Sequence, residues 1–94
     1  MNTYLITYDL KSENKDYSNF YACIKGLGDW QHPLDSVWLV KTSVNANNIF
    51  DILRNEKDEK DLILVIKVDL LDTQGWLSKT FWDWVNASNG KNVL

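Results

Sequence analysis

The chain contains three β-strand-like segments that carry apolar side chains on both faces: Thr3–Leu10, Ser36–Thr42 and Leu62–Val68. In the last segment, Leu62, Leu64 and Ile66 alternate with Ile63 and Val65; in the middle one, Val37 and Leu39 alternate with Trp38 and Val40. Because successive residues of a strand lie on opposite faces of a sheet, helices packed on one side leave an apolar face bare. That face requires a cover, and the candidates are the Trp-rich C-terminal segment, a second subunit, or both.

The order of the predicted elements indicates the fold class. The elements are the strand Thr3–Leu10, a helix capped by Asp16, a short strand at Asp29–Gln31, a turn at His32–Asp35, the strand Ser36–Thr42, a helix capped by Asn45, the strand Leu62–Val68 and a short helix opened by Ser78. This order predicts an α+β protein, a ferredoxin-like βαββαβ sandwich with an antiparallel sheet and two helices on one face, plus the short C-terminal helix. Right-handed connections place the first and third strands side by side at the centre of the sheet.

Length, charge and cysteine content limit the class of protein. We expect a single ferredoxin-like domain over residues 1–94, with its core at 1–70 and a C-terminal appendage at 71–94. The net charge of -3 and the single arginine, Arg54, argue against strong nonspecific binding of nucleic acid. The longest apolar run is too short and too charged for a membrane span, and no secretory signal is visible. Cys23, the one cysteine, cannot form an internal disulfide, and this with the missing signal favours a cytoplasmic protein. Because no segment is a candidate span, we expect no membrane partner.

Asp9 is the candidate metal ligand, because it ends the central first strand directly after Tyr8. One carboxylate alone holds Mg²⁺ poorly, since this ion requires several oxygen ligands. A dimer axis that brings two copies of Asp9 together would supply more of them. The alternative role for Asp9 is to cap the loop that leads into the first helix.

His32, the only histidine, and Ser36 are further candidates near the predicted turn. His32 is either an acid or base active near neutral pH or simply a turn residue. Ser36 lacks the glycines of a nucleophile elbow, which favours local hydrogen bonds at the start of its strand. The five tryptophans either stack on nucleobases or pack in the core or against a subunit, and the acidic residue between Trp82 and Trp84 favours packing. The charge run at 55–61 predicts a solvated loop.

Several short motifs resemble those of known bacterial proteins. Tyr4–Leu10 and Ser36–Val40 resemble the first and third strands of the small CRISPR-associated endoribonuclease of spacer acquisition. A closer resemblance, through most of the chain, is to the uncharacterised bacterial proteins called SinR-like, which share the motifs at Tyr8–Leu10, Lys15–Ser18, Leu34–Val40 and Gly75–Trp76. Virulence-associated protein D, a toxin ribonuclease, resembles the chain more distantly.

The resemblance implies a ferredoxin-like homodimer whose sheet faces pack together, with Asp9 near the dimer axis where those nucleases hold a metal. It implies metal-dependent hydrolysis of RNA or DNA phosphodiesters, in which paired Asp9 carboxylates hold Mg²⁺ and Tyr8, Ser36 and His32 line the catalytic site. Lys11 and Lys15 stand where the nuclease families commonly carry arginines, and the chain is acidic. These departures favour the alternative, a non-catalytic dimer that serves as a scaffold for a protein partner or binds nucleic acid weakly.

Overall fold

The computed structural model describes residues 1–88, which form four strands and three helices. The strands are β1 (Asn2–Asp9), β2 (Asp29–Leu34), β3 (Val37–Thr42) and β4 (Leu62–Val68), and the helices are α1 (Ser18–Lys25), α2 (Ala46–Arg54) and α3 (Lys79–Ser88). The elements follow the predicted order and make an α+β protein. Positions 89–94 of the C-terminal appendage predicted at 71–94 lie outside the described residues. No helix within residues 1–88 is long and apolar enough to cross a membrane.

All four strands form one antiparallel sheet in the order β2-β3-β1-β4. The central strands are β1 and β3, as predicted, and Thr7 of β1 lies opposite Val37 of β3. On the other side of β1, Asp9 lies opposite Leu62, so β4 begins where β1 ends. Because directly opposite residues share a face of the sheet, this register assigns each strand residue to one face.

The helices α1 and α2 cover one face of the sheet, as predicted. The main core lies between them and the sheet and consists of eight buried residues: Tyr4, Ile6, Phe20, Ile24, Trp38, Val40, Ile49 and Leu53. Burying one such apolar side chain fully contributes about 1.5–3 kcal/mol. The start of α2 is fixed by the predicted cap, since the Asn45 side chain accepts a hydrogen bond from the Asn48 N–H at 2.9 Å.

The reverse face of the sheet is apolar too, as the sequence predicts. The helix α3 packs on part of it, and the buried residues of this second cluster are Leu39, Leu70, Phe81, Trp84 and Val85. The Ser78 hydroxyl accepts a hydrogen bond from the Phe81 N–H at 3.2 Å, which fixes the first turn of α3. The C-terminal segment is thus one cover of the reverse face.

This cover is incomplete over β4. Leu62, Leu64 and Ile66 lie on the reverse face with 61%, 55% and 48% of their surface exposed. We call these three residues the β4 strip. The strand that carries them is also an edge of the sheet. A contiguous row of exposed apolar side chains is typical of an interaction surface.

The strand β2 is longer than predicted, because His32 and Pro33 belong to it rather than to a turn. The turn residues are Asp35 and Ser36, directly before β3. Proline lacks the N–H that a central strand needs, but it is tolerated at an edge. The strand β2 is such an edge, and its pairing with β3 is irregular near Pro33.

The segment between α1 and β2 approaches β3 closely. The Thr42 hydroxyl donates to the Leu27 carbonyl at 2.8 Å and accepts from the Val44 N–H at 3.2 Å, so this buried polar side chain is satisfied. A Cβ atom on Gly28 would overlap the carbonyl oxygen of Lys41, which belongs to the β3 backbone. A side chain at position 28 therefore requires the strand to move.

We expect Gly28→Ala to lower the free energy of unfolding by about 1–3 kcal/mol, the usual cost of overpacking. Urea denaturation measures this change. Gly26→Ala is the matched control, because its Cβ would lie 3.4 Å from the Ala22 carbonyl oxygen, an ordinary contact. Equal unfolding midpoints for the two variants would contradict the close approach described at Gly28.

Candidate functional site at one end of the sheet

The candidate site residues predicted from the sequence lie toward the same end of the sheet. Tyr8 and Asp9 end β1, and Ser36 lies in the turn that precedes β3. His32 is near the end of β2 that leads into this turn. Because Tyr8 and Asp9 are neighbours in one strand, their side chains point to opposite faces of the sheet. This end of the sheet therefore carries two separate groups.

Asp9 lies on the reverse face beside the β4 strip, since its register partner is Leu62. Its side chain is 62% exposed and forms an ion pair with Lys11 Nζ at 2.9 Å. Asp9, Thr7 and the start of β4 border a shallow cavity of about 300 Å³. Exposed ion pairs contribute about 0–1 kcal/mol, so Asp9 stays accessible to a competing cation.

The loop between β1 and α1 is held by Asp61 rather than by Asp9. Asp61 is buried directly before β4, and one of its carboxylate oxygens accepts from the Lys11 N–H at 2.7 Å. The other oxygen accepts from the Tyr17 hydroxyl at 2.7 Å and from the Asp58 N–H at 2.8 Å. The charge run before β4 was predicted to be solvated, and this prediction is wrong for Asp61.

Hydrogen bonding controls the ionisation of Asp61. Burial raises the pKa of this carboxyl, but the hydrogen bonds from Lys11, Tyr17 and Asp58, with the charge of Lys57, outweigh burial and leave the pKa below its ordinary value. Burial and the hydrogen bond to Asp61 raise the pKa of Tyr17. The carboxylate therefore stays ionised, and it fixes the backbone of Lys11, whose side chain pairs with Asp9.

On the opposite face, Tyr8 and His32 converge on the carbonyl oxygen of Asp35. The Tyr8 hydroxyl donates to this oxygen at 3.2 Å, and His32 Nε2 lies 3.0 Å from it. Because a carbonyl oxygen only accepts hydrogen bonds, Nε2 carries the hydrogen. The Tyr8 hydroxyl also accepts from Trp38 Nε1 at 2.9 Å. These bonds tie the turn before β3 to β1 and β2.

The structure groups Tyr8 with His32 and leaves Asp9 and Ser36 apart from them. Burial raises the pKa of Tyr8, against the opposing hydrogen bond from Trp38, so this residue stays a neutral phenol near neutral pH. It is a hydrogen-bond donor there and not a phenolate base. Ser36 is exposed in the turn, and within residues 1–88 its side chain does not join the hydrogen bonds of Tyr8 and His32.

One chain does not supply the ligands of a metal ion in the part that the structure describes. Residues 1–88 contain no group of three or more His, Cys, Asp or Glu side chains that could hold one. The neighbour of the Asp9 carboxylate is the ammonium of Lys11, whereas Mg²⁺ requires several oxygen ligands. The described residues of one chain therefore do not form a complete Mg²⁺ site at Asp9, and further oxygen ligands would have to come from outside them.

Comparison with known proteins assigns no family to this chain, because no family model, curated protein or solved structure matches it. The resemblance to the CRISPR-associated and SinR-like proteins stays a prediction. The features that bear on function are therefore those at the end of the sheet, namely Asp9 beside the β4 strip and His32 beside Tyr8.

We expect Asp61→Asn to lower the free energy of unfolding at neutral pH by about 1–3 kcal/mol, because an amide nitrogen cannot accept from the buried donors. In the wild type, the lowered folded-state pKa of Asp61 contributes stability above about pH 4, the unfolded value. This contribution is lost as the pH falls through the folded-state pKa. The free energies of unfolding of the wild type and of Asp61→Asn should therefore converge in acid. Urea denaturation across this pH range measures both effects.

The control for this prediction is Asp51→Asn, which removes an exposed carboxylate of α2. It should leave stability nearly unchanged. An equal loss in both variants, or a difference between wild type and Asp61→Asn that persists undiminished in acid, would contradict the anchoring role of Asp61.

Proposed function

We propose that the chain forms a homodimer through the reverse face of its sheet and that this dimer is a metal-dependent nuclease acting on RNA or DNA phosphodiesters. The proposed fold is the ferredoxin-like sandwich expected from the sequence, and the central pair of β1 and β3 supports it. The observation that carries the proposal is the position of Asp9. It is exposed at the end of a central strand, in register with the first residue of the β4 strip.

The β4 strip is the surface that we assign to the second copy. It continues the part of the reverse face that α3 covers, since Ile66 lies opposite Leu5, which packs against the α3 cluster. A second copy of the strip matches it chemically, because its three side chains are apolar and uncharged. In a twofold dimer the same patch faces itself, and we place the axis near the end of the strip that carries Asp9, so that the two Asp9 carboxylates meet there.

The proposed chemistry depends on what each chain supplies to this axis. Each contributes one Asp9 carboxylate, and the two carboxylates would hold a divalent cation in place of the Lys11 ammonium that pairs with Asp9 within one chain. Such a cation would supply an activated water molecule and stabilise the charge that develops on the phosphate. Tyr8 and His32 lie on the other face of the sheet, and we assign them to contacts with nucleic acid rather than to the ion.

We expect Leu64→Lys to convert the dimer into a monomer, because a lysine at the centre of the strip places an unpaired charge in an apolar interface. Static light scattering at micromolar concentration measures the mass. Ile52→Lys is the control, since it places the same charge at an exposed apolar position of α2, and it should remain dimeric. A monomeric wild type would exclude the proposed interface.

We expect Asp9→Asn to reduce Mg²⁺-dependent cleavage of RNA or DNA by about 100-fold or more, the scale on which a preorganised electrostatic group acts in catalysis. Asp29→Asn is a closely matched control. Its side chain is also 62% exposed and also pairs with a lysine, Lys41, at 3.7 Å. Cleavage that is equal in the wild type and both variants indicates a contaminating nuclease and removes the catalytic proposal.

The second candidate is a non-catalytic dimer that serves as a scaffold or binds nucleic acid weakly. The ion pair between Asp9 and Lys11 favours it, because the carboxylate already has a cationic partner within the chain. In this case substitutions in the β4 strip abolish the biological role, whereas Asp9→Asn leaves it intact. The proposed nuclease requires both the β4 strip and Asp9. The variants Leu64→Lys and Asp9→Asn therefore separate the two candidates.

A further inference from the structure

The indole of Trp38 is the centre of a cluster of aromatic rings. His32 stacks on it, with ring centroids 3.8 Å apart and an angle of 11° between the planes, and Tyr21 lies nearly parallel at 6.1 Å. Trp30 packs against it at 5.2 Å with a tilt of 55°. Trp38 is buried, whereas His32 and Trp30 are exposed. The cluster therefore presents an aromatic surface to solvent, which we call the His32 face.

The orientation of His32 is fixed by two contacts. One face of the imidazole lies against Trp38, and its Nε2–H donates to the Asp35 carbonyl at 3.0 Å. The Tyr8 hydroxyl donates to the same oxygen and holds the turn in place. His32 is nevertheless exposed, so part of the imidazole ring is available to a ligand. A ring that is held in advance loses little conformational entropy when a ligand stacks on it.

A cation adjoins this aromatic surface. Lys25 is exposed at the end of α1, and its ammonium lies 5.3 Å from the centroid of the Trp30 ring. Proteins that bind single-stranded nucleic acid combine rings on which bases stack with cations that contact the phosphates. Histidine is among the side chains that stack on bases. The His32 face therefore combines the two components of such a surface.

We infer that the His32 face binds a nucleobase of a single-stranded nucleic acid, with the imidazole as the stacking partner and Lys25 at the adjoining phosphate. This inference rests on the proposed function and defines its substrate as single-stranded, because bases within a duplex stack on each other and must be extruded to offer a face. His32 lies nearer to the Asp9 end of the sheet, whereas Trp30 lies level with Tyr4, toward the other end. A strand held at His32 passes round the Asp9 end of the sheet.

Binding is measured in EDTA, so that cleavage does not interfere and no metal is needed. The probe is a fluorescein-labelled oligodeoxyadenylate of about eight nucleotides, at a salt concentration of about 50 mM. It is compared with an abasic oligomer of the same length and charge. We expect wild type to bind the probe roughly 5- to 150-fold more tightly than the abasic oligomer, the effect of one base–aromatic stack.

Two substitutions remove the rings of the surface. We expect His32→Gln and Trp30→Ala each to weaken binding of the probe, His32→Gln by roughly 5- to 150-fold, while binding of the abasic oligomer stays unchanged. Trp30→Phe keeps a ring and should restore most of the affinity lost in Trp30→Ala. Trp76→Ala is the matched control, because Trp76 is a tryptophan with 99% of its surface exposed in another part of the chain. It should bind the probe like the wild type.

The wild type itself provides a second readout, because the chain contains one histidine. A base stacked on the imidazole shifts the proton resonances of the His32 ring upfield. We expect this shift when the probe is added and not when the abasic oligomer is added. The measurement decides the question even if Trp30→Ala does not fold.

Equal binding of the two oligomers, no binding of either, or unshifted His32 resonances would overturn the inference, as would an equal loss in Trp76→Ala. The cleavage assay is scored separately. If the base stacks on His32 but Mg²⁺-dependent cleavage is absent, the proposed nuclease fails and the binding site stands. If cleavage depends on Asp9 but the stacking measurements are negative, only the His32 face is overturned.

Discussion

A sheet that has apolar side chains on both faces is the constraint on which the rest of the structure depends. The residues of β1 and β3 that face α1 and α2 form the main core, while Leu5 and Leu39 point the other way and are covered by α3. Because α3 extends over only part of the reverse face, the β4 strip is left at the surface. Burial of apolar area drives both folding and association, so the effect that builds the core also favours a second copy on the strip.

Two carboxylates near the same end of the sheet have opposite environments. Asp61 is buried and accepts three hydrogen bonds from its own chain, so it stabilises the loop between β1 and α1. Asp9 is exposed and pairs with the side chain of Lys11, which has an exposed and adaptable ammonium. A buried acid held by three hydrogen bonds serves stability, whereas an exposed acid paired with a solvated lysine is open to exchange. This difference is the reason for assigning the proposed chemistry to Asp9.

Much of the fold could be predicted because apolar alternation is a local property of the sequence. The strands, their order along the chain and the two-sided sheet were all predicted from it, and the structure confirms them. The extent of β2 could not be predicted. Pro33 is compatible with a strand only at a sheet edge, and which strand lies at the edge depends on the strand order. The burial of Asp61 was also missed, since it depends on hydrogen bonds from a distant part of the chain. The stacking of His32 on Trp38 was missed because His32 was assigned to a turn and not to a strand paired with β3. The catalytic role of Asp9 stays a prediction.

The hydrogen bonds of Asp61 have a consequence for the order in which the chain acquires its structure during synthesis. Lys11 and Tyr17 lie 50 and 44 residues before their common acceptor. They leave the ribosome well ahead of it, and contacts across such separations form late because closing a long loop costs entropy. Once position 61 and the strand that follows it are translated, β4 can pair with β1 and Asp61 can secure the N-terminal loop. The end of the sheet that carries Asp9 is therefore among the last parts of the nascent protein to become ordered.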